Sequence, residues 1–306
     1  NDEIILYSSN KIVFFNCLTK KTNTIYTSNY FINHVLYDEE TKQIWVSTIN
    51  GLIKLNNTSN AIENLMVPSN NLKTINSIEE DSDGTIWISN QSNIIYSYKS
   101  SVFNTLLLPK NTTCNQILSK NNALFFATNT GVFTFENKHF KKIISSNYNV
   151  KKIAFDNKNQ LWLMPEKGNI EVFDYATLKK KDNYIKNNAS FWEENSFNDI
   201  IADKKGKIWL ACWIPKGYGI CFFDDKNHTF TQIDSLKQFN NTEKFISDYY
   251  NYVSVLNDNS LLFSGYGGWN KVTEEGNIIK TFDILKHNVV NHYLVGIAQD
   301  KIGNIW

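Results

Sequence analysis

The sequence predicts an all-β fold, a propeller of four-stranded antiparallel blades, on three observations. A large apolar residue recurs at Leu6, Trp45, Trp87, Phe125, Trp162, Trp209, Phe263 and Trp306, at intervals of 37 to 54 residues. Most of these positions follow a short apolar run and a tight polar turn such as DSDG (81–84), DNKN (156–159) or DKKG (203–206). Apolar residues at helical spacing are hard to find, whereas short strand-like runs fill the chain. A repeat of roughly 40–45 residues with one aromatic per unit is the interval of a propeller blade.

Each unit repeats the same order. A first strand reads INHVLYD (32–38), INSIEED (75–81), VKKIAFD (150–156) or FNDIIAD (197–203). Asp at the head of the following turn and Gly or Asn at its left-handed position favour an antiparallel reversal. The strand carrying the aromatic comes next. After it come a loop that often holds glycine and a third strand, as in GLIKLN (51–56), GVFTFE (131–136) or IEVFD (170–174). The fourth strand is weaker, as in AIENLMVP (61–68) or FTQID (230–234). Trp45, Trp87, Phe125, Trp162, Trp209 and Phe263 are expected to be core residues between neighbouring sheets.

Seven second-strand positions, Leu6 to Phe263, predict seven blades over residues 1–300. The chain starts at a second strand, EIILYSS, and HYLVGIAQD (292–300) is a first strand without a second. Joining these two is expected to close the seven-bladed propeller with a C-terminal strand in the first blade. Residues 301–306 then read as the start of a next repeat leading into a second propeller.

Composition narrows the function. With 42% hydrophobic residues there is ample material for a core. The 31 basic residues balance 30 acidic ones, all 31 are lysine, and the densest basic run is LKKKD (178–182). A nucleic-acid partner is not expected, because phosphate binding needs a clustered basic face. No apolar run reaches the roughly 20 residues of a membrane helix, so no membrane contact is expected from this stretch. The cysteines at 17, 114, 212 and 221 form no CxxC pair. Cys212 and Cys221 are either a bonded pair across a hairpin or free thiols. His34, His139, His228, His287 and His292 share no loop pattern, and DSDG lacks the later acidic ligands of a calcium loop, so neither metal nor cofactor is expected.

The pattern acidic-x-x-Gly, then Ile/Leu-Trp-apolar-Ser/Ala, then Gly-Leu-x-x-apolar, resembles the two-component regulator propeller repeat. It is carried by TKQIWVSTINGLIKLN (41–56), DSDGTIWIS (81–89), ATNTGVFTFE (127–136) and DKKGKIWLA (203–211). The resemblance implies the periplasmic sensor part of a membrane-bound regulator, often a hybrid histidine kinase, that responds to oligosaccharides. It also implies partner domains in the same chain, a second propeller and an immunoglobulin-like domain, and a possible homodimer of the whole receptor. No kinase motif stands in these 306 residues, so no enzyme activity is expected of them.

Three long loops attract attention as ligand sites. WLACWIPKGYGICFF (209–223) carries Trp213, Lys216 and Tyr218; SGYGGWNKV (264–272) carries Tyr266 and Trp269; NNASFWEENSF (187–197) carries Trp192 and Glu193. Aromatic faces beside carboxylates and amides suit sugars, whose CH faces stack while their hydroxyls bond. The same aromatics also suit plain packing of long loops. A protein-interaction scaffold is the alternative reading, and a lyase or glycosidase, with Glu166 and Glu193 as an acid pair, is a third.

Overall fold

In the computed structural model, the residues described are 3–7, 10–16, 21–38, 43–56, 62–65, 75–99, 102–166, 168–182, 184–186, 196–214, 219–233 and 245–283. They form β strands in antiparallel hairpins. A three-stranded sheet comes first: β1 (Glu3–Tyr7), β2 (Lys11–Asn16) and β3 (Thr22–Thr27). Six four-stranded blades follow in chain order. The first is β4 (Ile32–Asp38), β5 (Gln43–Thr48), β6 (Gly51–Asn56) and β7 (Ile62–Leu65). The second is β8 (Ile75–Glu80), β9 (Ile86–Asn90), β10 (Ile94–Lys99) and β11 (Val102–Leu107). The third is β12 (Cys114–Lys120), β13 (Ala123–Thr128), β14 (Gly131–Glu136) and β15 (His139–Ser145). The fourth is β16 (Val150–Phe155), β17 (Gln160–Pro165), β18 (Glu171–Asp174) and β19 (Lys179–Lys180). The fifth is β20 (Ser196–Ala202), β21 (Ile208–Trp213), β22 (Ile220–Asp224) and β23 (Thr229–Gln232). The sixth is β24 (Tyr250–Val255), β25 (Leu261–Gly265), β26 (Gly268–Val272) and β27 (Ile278–Asp283).

Among the described residues the propeller therefore has six four-stranded blades, not the seven counted from the repeat. The unit around Leu6 forms, among those residues, the three-stranded sheet β1-β2-β3, whereas each later unit builds four strands. The segment 292–300, expected to complete that unit, lies outside the described residues, as does 301–306. Two compact units divide the chain: Thr27–Ile153 with Pro165–Lys167, and Asn1–Tyr26 with Ala154–Met164 and Gly168–Trp306.

The register also places Phe263, itself buried, one position off the tryptophan slot. Glu79 pairs with Trp87, Leu36 with Trp45, Leu118 with Phe125 and Ile201 with Trp209. The corresponding partner in the sixth blade is Ser254, and it pairs with Leu262, not Phe263. Phe263 occupies the next slot, together with Ile88, Phe126 and Leu210. That slot turns to the preceding blade, because successive strand residues point to opposite faces. Ile88 packs in the cluster of Trp45, Phe126 in that of Trp87, Leu210 in that of Trp162 and Phe263 in that of Trp209. Each tryptophan is thus gripped by the next blade, with ring centroids 6.3 Å apart for Trp87–Phe126 and 6.1 Å for Trp209–Phe263.

A second device joins innermost strands. In four of them the register slips at the second residue and in β20 at the third, so Asn33, Asn76, Asn115, Asn198 and Asn251 are each the extra residue of a β-bulge. A bulge turns its side chain sideways, towards the next blade. Asn33 Nδ2 donates to Ile75 O (3.1 Å), Asn76 to Cys114 O (2.9 Å), Asn115 to Val150 O (2.8 Å) and Asn198 to Tyr250 O (2.8 Å). The residue after the bulge accepts in return: Ser77 Oγ from Ile117 N, Gln116 Oε1 from Ile153 N, and Asp199 Oδ2 from Val253 N. Buried strand edges facing one another leave amides and carbonyls that must be bonded, and these side chains do it.

Candidate functional site: an aromatic platform on the fifth and sixth blades

The residue four places after the tryptophan slot stands at the end of each blade where strand two turns towards strand three. In chain order it is Ile49, Gln91, Asn129, Glu166, Trp213 and Tyr266. Trp213 and Tyr266 lie in the same compact unit and remain exposed, at 42% and 41%.

Backbone bonds draw their loops together. Trp213 bridges to Tyr249, and Ile214 N donates to Asp248 O at 3.0 Å. Tyr266 N donates to Tyr249 O at 3.1 Å. The segment between them is itself fixed, since Ser247 Oγ donates to Tyr249 O (3.1 Å) and accepts from Tyr249 N (2.9 Å). Two glycines permit this closeness. A Cβ on Gly219 would meet Cys212 O at 2.2 Å and Asp248 O at 2.7 Å, and one on Gly265 would meet Tyr249 O at 2.2 Å. Beneath the platform, Asn270 Oδ1 accepts from Ile246 N and from the Tyr250 hydroxyl, and its amide donates to Thr281 Oγ1. The result is an exposed indole and phenol on a bonded base, with the exposed Asp248 beside them.

The other sequence candidates fare differently. Trp269 is not a loop residue: it lies in β26, 4% exposed, stacked on Phe282 at 5.6 Å and 17°. Its backbone pairs with Ser264 and Phe282, which turns the indole inward as packing. Trp192, Glu193, Lys216 and Tyr218 lie outside the described residues. Glu166 Oε2 accepts from Asn149 Nδ2 at 2.9 Å, and its proposed acid partner Glu193 is undescribed. Cys212 and Cys221 are buried free thiols, with burial and then their mutual contact pushing the Cys212 thiol up. Among the described residues no group of three or more His, Cys, Asp or Glu is placed to hold a metal.

The sequence reading missed two titratable groups on innermost strands. Glu79 Oε1 accepts from Ser119 N (3.2 Å), and burial pushes its carboxyl up to about 7 against the opposing pull of that bond and of Lys152. Burial, and then Lys152, hold the His34 imidazole down to about 4. Alternation within INHVLYD and INSIEED marked these positions as strand, but nothing there marked the side chains as buried.

Residues 70–92 match the sequence family Two component regulator propeller. This chain carries a two-component regulator propeller repeat. The match covers the second blade's first two strands and its DSDG turn, one of the segments on which the resemblance rested. A comparison with curated proteins finds no match. Among solved structures, a streptogramin B lyase is similar over 85% of this chain and 89% of its own, at 17% identity and a TM-score of 0.63. YCF48 bound to D1 peptide is similar over 97% of this chain and 90% of its own, at 12% identity and a TM-score of 0.65. These two likenesses show the propeller fold. Two structures of the extracellular domain of BT4673 from B. thetaiotaomicron, described respectively as a one component system and a hybrid two component system, align with the whole chain at 16% identity and TM-scores of 0.45 and 0.43. The chain spans about half the length of that domain. Among the described residues no helix is long and apolar enough to cross a membrane.

Proposed function

We propose that this chain is a ligand-sensing propeller in the extracytoplasmic part of a two-component regulator, and that the Trp213–Tyr266 platform binds an oligosaccharide. The observation that carries the reading is the pair of exposed aromatic faces held on a bonded base. Core aromatics of the repeat are buried, so exposure at these two slots is what a stacking surface needs. Asp248 and the loop carbonyls supply hydroxyl partners at its edge. In the full receptor, further propeller and immunoglobulin-like domains would relay binding to an output module. A ligand shifts such an equilibrium only by its differential affinity for the two receptor arrangements.

Calorimetric titration with a panel of plant and host glycan fragments tests this. Saturable heat is expected with at least one fragment, and Trp213→Ala or Tyr266→Ala should each weaken it about tenfold or more. Binding that survives both substitutions would move the site elsewhere. No heat with any glycan, together with capture of a receptor domain on the same residues, would favour a protein-docking platform.

A further inference from the structure

The two most exposed large apolar side chains among the described residues sit on one strand: Val102 at 56% and Leu107 at 67%, both on β11. This strand is the end of its sheet, in the order β11-β10-β9-β8, so one edge of its backbone meets no strand among the described residues. We propose that β11 is a dimerisation edge, pairing antiparallel with β11 of a second copy of this chain about a two-fold axis.

The occupant follows from charge. A long, uncharged, apolar edge strand is a template for pairing, and proteins ordinarily blunt such edges with lysine, proline or shortness. The other fourth strands are blunted. β7 carries Glu63, β15 carries Lys141 and Lys142, β19 is Lys179–Lys180 alone, β23 is four residues long, and β27 carries Lys280 and Asp283. The outer strand of the N-terminal sheet, β3, is neutral but reads TNTIYT, and none of the exposed large apolar residues lies on it. β11 reads VFNTLL, six residues without a charge, and Pro109 follows two residues after its end.

A two-fold axis normal to the sheet must pass through a residue paired with its own copy. With the axis at Asn104, Val102 of one copy faces Leu106 of the other, and Lys99, which lies on β10 paired with Val102, stands one strand in from the edge. With the axis at Thr105, Asn104 of one copy faces Leu106 of the other. Neither register sets like charges together, so a second copy fits this edge where the lysine-bearing β15 and β19 would repel their own copies. Apolar area at both ends of the strand would be covered in the same step.

Sedimentation of the chain over a wide concentration range tests the inference. A reversible monomer–dimer equilibrium is expected. Asn104→Lys and Thr105→Lys together, both at exposed positions, should weaken association about tenfold with an unchanged thermal midpoint. In separate variants, Asn104→Cys or Thr105→Cys should form an interchain disulfide under mild oxidation that the parent chain does not form, since residues on the axis face themselves at bridging distance. A chain that stays monomeric throughout, or a dimer that keeps its strength in the double lysine variant, overturns the proposal.

Discussion

The second, fourth and fifth blades tie their tryptophans to their turns, and among the described residues the other three show no such tie. Trp87, Trp162 and Trp209 each donate Nε1 to an aspartate six residues earlier: Asp81 at 2.7 Å, Asp156 at 2.9 Å and Asp203 at 2.9 Å. The other oxygen of each carboxylate accepts two backbone amides of the turn, from Asp83 and Thr85, from Lys158 and Gln160, and from Lys205 and Lys207. One side chain thus sets the turn and positions the indole. In the first blade Asp38 stands seven residues before Trp45, and the buried Trp45 Nε1 has no partner among the described residues. The third blade turns in two residues, Asn121 and Asn122, and carries Phe125 in the slot. The sixth has Leu256 where the aspartate would be and Leu262 where the tryptophan would be, so acceptor and donor are missing together. The difference teaches that the ring and the tie are separable. Packing by the next blade needs only a large apolar residue, whereas the tie needs both partners at a fixed spacing.

The largest effect should come from cutting a tie at its acceptor. Asp203→Ala orphans a buried indole N–H and frees two turn amides, and hydrogen bonds to a charged group carry more than neutral ones. A loss of about 2–4 kcal/mol is expected in urea unfolding. Asp258 in the sixth blade's turn accepts from Ser260 N (3.1 Å) and pairs with Lys271 at 2.6 Å at the surface, with no indole to hold. Asp258→Ala should cost less than about 1 kcal/mol. Equal losses at the two sites would mean that the tie adds nothing to turn formation.

The innermost strands extend the contrast to pH, because there the side chains bond blade to blade within a unit. Glu79 has its folded carboxyl raised from 4.5 to about 7, chiefly by burial. A raised carboxyl binds its proton more tightly when folded, so its contribution is greatest below the unfolded value and is lost as pH rises through 7. Lys152 favours the ionised form and Glu80 opposes it. His34 runs the other way: its folded value is lowered from 6.5 to about 4, so stability is lost as pH falls through that window. Glu79→Gln keeps an acceptor for Ser119 N and removes the ionisation. It should raise the urea midpoint at pH 8 and leave it nearly unchanged at about pH 4, below the unfolded value. His34 is present in both proteins and cancels. An equal shift at both pH values would mean that Glu79 is not held neutral.

Much of this was legible in sequence because it rests on spacing. The hairpin turns could be read from residue type, and Gly84, Asn159 and Gly206 do adopt φ of 72°, 58° and 83°. The two-component regulator resemblance was legible for the same reason, from the turn and tryptophan of the DSDG unit. Blade number was not. Counting second strands credits the Leu6 unit as a blade, whereas three strands of that unit stand among the described residues. Spacing put Phe263 in the tryptophan slot because a one-residue shift leaves an apolar residue in place; only the pairing of Ser254 with Leu262 reveals it. Trp269 looked like loop because it follows Tyr-Gly-Gly, but those glycines make so short a turn that the third strand starts at Gly268. The asparagine bulges went unread, since a bulge is a property of pairing and not of either strand alone.

The smallest predicted effect is the sharpest test of separability. Trp45 is packed against Tyr98 at 5.0 Å and 68°, and Lys54 Nζ stands 5.5 Å over its ring, but among the described residues its indole N–H has no acceptor. Trp45→Phe removes ring volume and cation–π contact while relieving an unsatisfied buried donor, and these terms oppose each other. A net change under about 1 kcal/mol is expected. Trp162→Phe removes similar volume but also leaves Asp156 Oδ2 without its indole partner, so its cost should exceed that of Trp45→Phe by about 1–3 kcal/mol. Thermal unfolding of the two variants side by side measures the difference. If Trp45→Phe proves as costly as Trp162→Phe, the ring alone decides stability and the aspartate tie serves only the turn.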